Sequence, residues 1–160
     1  MIKIAICDDR TSDRALLKDL IEKTEVFQNA EYCEFESGDA LTCDMECGRR
    51  YDIVFLDVDM QDLKGIETGK SIRYNDSDAM IIFVAEDPGF AIQAFDCNAF
   101  HYILKNDSYD KFLAVLIKAR ERYLSTHNRY VLNCKVTQRE SLAVEHSRQR
   151  GVYDYGWNKV

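Results

Sequence analysis

Apolar positions along this chain fall into five short runs separated by stretches of helical period. Residues 2–7, 53–56, 80–85 and 100–104 are largely apolar and predict buried strands, while 31–36 alternates polar with apolar and predicts a less buried one. Between them, 11–23 places Leu16, Leu17, Leu20 and Ile21 on one face of a helix. Residues 39–47 predict a short helix closed by Gly48, residues 66–74 another, and 90–95 a fourth. Asp107 or Ser108 is placed to cap a last helix, in which Phe112, Val115, Leu116, Ala119 and Tyr123 share one face. Strand and helix alternate five times, and most strands are too apolar to leave one face wet. That pattern predicts an α/β fold, a five-stranded parallel sheet with helices on both faces. In such a sheet the functional crevice lies beyond the carboxyl ends of the strands, where strand order reverses.

With 160 residues, 46% of them hydrophobic, the chain can build one ordinary packed domain and a short extension. The longest apolar runs, 53–56 and 80–85, are far too short to span a bilayer, so no membrane partner is expected. The first residues enter a strand without a charged leader or cleavage site, so no secretory signal is expected either. Of the six cysteines, Cys7, Cys33 and Cys97 sit in apolar or alternating segments and read as buried small residues. Cys43 and Cys47, four apart, share one side of a helix. The histidines (His101, His127, His146) are too scattered to complete a zinc site with them, so a structural role is expected. A reducing, cytoplasmic setting fits.

Charge divides the chain. Residues 1–125 carry 15 Lys/Arg against 25 Asp/Glu, whereas residues 126–160 carry 6 against 3. An acidic body argues against nucleic-acid binding by the main domain, and the mildly basic tail is at most weakly suited to phosphates.

The strand ends carry the candidate chemistry. The first ends in Asp8-Asp9, the third in Asp57 with Asp59 two further on, and the fifth in Lys105. Carboxylates gathered at neighbouring strand ends repel unless a cation intervenes. Oxygen-only ligands point to a hard ion such as Mg²⁺, and a lysine opposite suits a phosphoryl oxygen. The chemistry implied is phosphoryl transfer onto a carboxylate.

At these residues the sequence resembles a known family. "IAICDD", "YDIVFLDVDM" and "AFHYILK", in that order, resemble the receiver domain of two-component response regulators over about residues 1–125. "FLDVDMQDLKGIETGKSIR", with Gly65 eight after Asp57, and "FAIQAFDCNAFHYILK" resemble the subgroup whose receivers precede a LytTR-type DNA-binding domain. The resemblance implies a CheY-like, doubly wound (flavodoxin-like) sheet of order 2-1-3-4-5. It implies Asp57 as phosphoacceptor, with Asp8, Asp9 and Asp57 around Mg²⁺. Asp9 and Asp57 would be its direct ligands, Asp59 ligating through its backbone carbonyl. Lys105 would be the catalytic cation on the phosphoryl group, and Tyr102 an aromatic that reorients on activation. A sensor histidine kinase would be the phosphodonor partner and a homodimer a further one. DNA would be reached only through a full output domain. Such a chain is a regulator rather than a turnover enzyme, catalysing its own phosphoryl transfer and slow dephosphorylation.

Four positions depart from that pattern. Ala85 stands at the end of strand four where the family carries Thr or Ser, whose hydroxyl bonds the phosphoryl group and draws the next loop inward. Glu86 follows where a small residue is usual, adding negative charge or pairing with Lys105. Gln61 and Asn106 replace prolines. An alternative reading is therefore a degenerate receiver that docks proteins independently of phosphate. The Asp-x-Asp of "LDVDM" also resembles the nucleophile motif of haloacid-dehalogenase-type phosphatases. Those carry it on the first strand and need a late acidic pair, which does not follow Lys105 here. Beyond Ser125 only 35 residues remain, against on the order of a hundred for a whole LytTR-type domain. Residues 126–160 are thus expected to be a C-terminal extension resembling the start of one.

Overall fold

The computed structural model describes residues 1–60, 64–76 and 78–127. The chain divides after Glu121: Met1–Glu121 is one compact unit, and of the remainder residues 122–127 are described and are helical. The strand-like reading of the tail lies outside the described residues.

Five strands, β1 (Lys3–Cys7), β2 (Glu31–Phe35), β3 (Ile53–Asp57), β4 (Met80–Ala85) and β5 (His101–Leu104), alternate with helices α1 (Thr11–Lys23), α2 (Gly38–Glu46), α3 (Lys64–Asn75) and α4 (Ala91–Asp96). A last helix, α5, covers 109–127. The strands form one sheet of order β2-β1-β3-β4-β5, parallel at every pairing. Strand order reverses at β1/β3, as in flavodoxin-like folds.

The three inner strands are buried on both faces. Alternate residues, among them Val54, Leu56, Ile81 and Phe83, join a core with Leu41, Met45 and Ile72 of α2 and α3. Their neighbours Ile53, Phe55 and Ile82 are equally buried on the opposite side, the side of α1 and α5. There Leu17 and Leu20 of α1, Ile103 of β5 and Phe112 of α5 line a shared cavity of about 250 Å³.

Local chemistry sets the boundaries. Ser37 Oγ accepts the Ala40 N–H at 3.2 Å, starting α2 at Gly38. Ser108, not Asp107, caps α5, accepting from Lys111 N–H at 3.4 Å. Asp107 accepts the Leu104 N–H instead, at 3.1 Å. A 3-10 turn over Pro88–Phe90, capped by Asp87, delays α4 to Ala91. Gly48 closes α2 with φ +97°, the left-handed region expected of a glycine there. In α1, Ile21 is buried, Leu17 and Leu20 are half-buried, and Leu16 is 59% exposed at the cavity rim, so the buried stripe is narrower than expected.

The five described cysteines are free: Cys7 and Cys97 are buried, Cys33 half-buried, Cys43 and Cys47 exposed. Burial first, then the charges of Asp8 and Asp57, push the Cys7 thiol up to about 12. It is a core residue and not a nucleophile.

Candidate functional site

β1 and β3 are neighbours in register, with Cys7 beside Leu56. The residue after Cys7 and the last residue of β3, Asp8 and Asp57, therefore emerge together at the carboxyl edge of the sheet. Both are buried, at 5% and 2% exposure, while Asp9 is exposed. One carboxylate oxygen from each of Asp8, Asp9 and Asp57 lies within 4.8 Å of the others. Burial, together with the charges of Asp8 and Asp59, pushes the Asp57 carboxyl up to about 6, against the lowering pull of Lys105.

Lys105 reaches this cluster from the end of β5. Its backbone N–H donates to Ala85 O at 2.8 Å, carrying the β4–β5 pairing one residue past the strand. Its Nζ lies 3.0 Å from Asp8 Oδ2, 2.9 Å from Asp13 Oδ2 and 3.0 Å from Asp57 Oδ1. Burial alone would lower this lysine, but the carboxylates of Asp13, Asp57 and Asp8 outweigh it and hold the ammonium well above its ordinary range.

Apart from that ion pair, neither oxygen of Asp57 accepts a well-formed hydrogen bond among the described residues. A buried carboxylate with open lone pairs is costly unless a cation meets it. By contrast, Asp8 Oδ1 accepts the Arg10 N–H at 2.8 Å and its Oδ2 faces Lys105. The open oxygens, the carboxylate of Asp9 and an all-oxygen donor set fit a hard divalent cation.

Ala85 ends β4 fully buried, presenting a methyl group and no hydroxyl. The segment after it has three ties. Glu86 N–H donates to Asp59 Oδ2 at 2.8 Å, Glu86 Oε1 accepts from Arg10 Nη2 at 2.7 Å, and Tyr102 Oη donates to Asp87 O at 2.6 Å. Of the two alternatives for Glu86, added negative charge or pairing with Lys105, the second is corrected here. Glu86 pairs with Arg10, while Lys105 is drawn inward by three carboxylates. The Asp59 side chain serves the loop, leaving only its backbone for the cluster. Tyr102 packs on Phe83, ring centroids 6.4 Å apart, and burial raises its hydroxyl to about 12.

Three residues at the site were not singled out in the sequence. Asp13, in the first turn of α1, shares Oδ2 between Lys105 and Arg10, and Lys105 holds its carboxyl below the usual carboxylate range. Arg14 donates to Asp8 O at 2.6 Å, bracing the end of β1. The third, Arg10, directly follows the acidic pair, and adjacency was its sole signal.

The chain matches the response regulator receiver domain over residues 4–117. It is 32% identical over 125 residues to the sensory transduction protein LytT of Bacillus cereus, covering 76% of this chain and 48% of that protein. It is 36% identical over 106 residues to the transcriptional regulatory protein LytR of Staphylococcus aureus, covering 65% of this chain and 41% of that protein. The chain thus spans about half the length of the curated relatives it matches. Among solved structures, it is similar to the response regulatory domain of MrkE from Klebsiella pneumoniae, with TM-score 0.68, 23% identity and coverage of 78% and 99%. It is also similar to response regulator TrrA from Thermotoga maritima in complex with Mg²⁺ and BeF, with TM-score 0.62, 25% identity and coverage of 74% and 99%.

Proposed function

The chain belongs to the response regulator receiver domain family, and from that membership we propose that Asp57 is the carboxylate on which it accepts a phosphoryl group. The observation that carries this is a buried carboxylate whose oxygens take no well-formed hydrogen bond, flanked by two further acids and a lysine.

The donor is a phosphohistidine of a sensor histidine kinase. An oxygen of Asp57 attacks phosphorus and forms an O–P bond as the N–P bond breaks. The departing electron pair stays on the imidazole nitrogen, which takes a proton from water. Return to the free carboxylate is hydrolysis: water attacks phosphorus, the O–P bond breaks, and inorganic phosphate leaves. Catalysis here means charge neutralisation and positioning, with no turnover of a separate substrate.

Mg²⁺ would be held at this cluster and, when bound, would neutralise charge on the transferring phosphoryl group. Asp9 and Asp57 would hold it directly, with the backbone carbonyl of Asp59, because both oxygens of Asp8 already have protein partners. Lys105 balances the opposite side of Asp57 as a point charge.

Similarity to LytT and LytR supports a two-component regulator with transcriptional output, DNA being reached through a full output domain. Among the described residues no helix is long and apolar enough to cross a membrane. A phosphate-independent docking module is the second reading. It is favoured by Ala85 and by the three ties that hold the β4–α4 segment without any phosphoryl group.

Calorimetry with beryllofluoride, a phosphoryl mimic, tests the main reading. Binding is expected for the wild type in Mg²⁺ and should vanish without Mg²⁺ or in Asp57→Asn. Binding that ignores both changes would refute it.

A further inference from the structure

We propose that Arg10 is a second phosphoryl-binding cation of this receiver, which leaves Glu86 for the phosphoryl group and replaces the hydroxyl missing at Ala85. The proposal rests on Asp57 as the phosphoacceptor.

Arg10 is fixed at the rim of the cluster by its own backbone, whose N–H donates to Asp8 Oδ1 at 2.8 Å. Its guanidinium Nη2 is shared between Asp13 Oδ2 at 3.1 Å and Glu86 Oε1 at 2.7 Å. The same Asp13 oxygen takes Lys105 Nζ at 2.9 Å, and that ammonium lies 3.0 Å from Asp57 Oδ1. A chain of ion pairs thus runs from the acceptor carboxylate to the residue after Ala85. In that chain Arg10 is the link between Asp13 and Glu86, and Glu86, next to the missing hydroxyl, is its outer end.

The exchange is favoured by where the charges lie. The side chains of Arg10 and Glu86 are 48% and 60% exposed, so solvent screens their pairing and it is easily traded. A phosphoryl group on Asp57 puts a charge of about −1.5 to −2 in place of the carboxylate's −1, beside the buried carboxylate of Asp8. The planar guanidinium offers paired donors that match phosphoryl oxygens, which a lysine cannot reproduce. When Arg10 turns to the phosphoryl group, Glu86 loses its partner and the β4–α4 segment loses one of its three ties. Phosphorylation is thereby reported to that segment without a hydroxyl at position 85.

A latch serving only the loop gives a different signature from a ligand exchange. In a latch, either half removed loosens the segment, so both variants act in the same direction. In an exchange, Glu86 competes with the phosphoryl group and Arg10 binds it, so the variants act oppositely. Beryllofluoride affinity in Mg²⁺ is measured on the full chain for wild type, Arg10→Ala, Arg10→Lys, Glu86→Gln and the double variant Arg10→Ala/Glu86→Gln. Expected are about tenfold weaker binding for Arg10→Ala, partial recovery for Arg10→Lys and several-fold tighter binding for Glu86→Gln. In the Arg10→Ala background, Glu86→Gln should add nothing. Thermal unfolding of each variant confirms that folded protein is compared. Equal affinity for Arg10→Ala and wild type, or weakening by both single variants, overturns the proposal while leaving Asp57 in place. No binding by the wild type overturns the phosphoacceptor reading and this one with it.

Discussion

Glu86 donates its backbone N–H to Asp59 Oδ2 at 2.8 Å, joining the β3–α3 and β4–α4 segments across 27 positions of sequence. The carboxylate of Asp59 therefore positions a loop, whereas that of Asp9 belongs to the acidic cluster with Asp8 and Asp57. Asp9→Asn should weaken Mg²⁺ binding by about tenfold or more, and Asp59→Asn, which keeps an acceptor oxygen, should change it little. Asp59→Ala should leave Mg²⁺ affinity near wild type and cost about 1 kcal/mol of stability. Mg²⁺ titration followed by NMR, with denaturant unfolding alongside, checks both. Equal Mg²⁺ losses for Asp9→Asn and Asp59→Asn would contradict this division of roles.

Ala85→Thr places a hydroxyl at the end of β4, beside the strand that ends in Asp57. One hydrogen bond to a charged acceptor should tighten beryllofluoride binding about tenfold. Because Ala85 is fully buried, the larger side chain should also cost about 1–3 kcal/mol of stability without ligand. Tyr102 fluorescence and affinity together read this. A variant no tighter than wild type, with an equal Tyr102 response, would show that the missing hydroxyl does not limit the switch.

Asp57 makes stability pH-dependent with a defined sign. Its carboxyl rises from the ordinary 3.8 to about 6 on folding, chiefly through burial. Between those values the folded chain holds more protons than the unfolded one, so stability contributed at low pH is lost as pH rises through the window. In Mg²⁺-free buffer, Asp57→Asn should gain on wild type by about 3 kcal/mol between acidic and neutral pH, most of it between about pH 4 and 6. Urea unfolding across this range measures it, and a constant difference would contradict the assignment.

Gly65 lets the first turn of α3 approach the end of β3. A Cβ there would sit 2.1 Å from Asp57 O and 2.7 Å from Val58 Cα, both backbone atoms that cannot swing aside. Gly65→Ala should therefore destabilise by more than about 2 kcal/mol and weaken Mg²⁺ binding by displacing Asp57. Chemical denaturation of the variant checks this, and wild-type stability would contradict the close approach.

Much of this was legible in the residues, because apolar runs and helical spacing are local. Met80–Ala85 and Thr11–Lys23 have the bounds their patterns predict, and Asp8, Asp9, Asp57 and Lys105 converge because each lies at or just past the carboxyl end of a parallel strand. The loss of the hydroxyl at Ala85 was equally visible. The partners of Glu86 and Lys105 were not. Arg10 meets Glu86 across 76 positions and Asp13 meets Lys105 across 92, and sequence spacing carries no trace of such pairs. Nor could periodicity separate Leu16, left at a cavity rim, from Ile21, which packs fully.

Intact-mass measurement after treatment with a small phosphodonor and Mg²⁺, followed by peptide mapping, tests the central claim most directly. The wild type should gain one phosphoryl group on the peptide containing Asp57, and Asp57→Asn should gain none. No gain by the folded wild type, or an equal gain by Asp57→Asn, would contradict it.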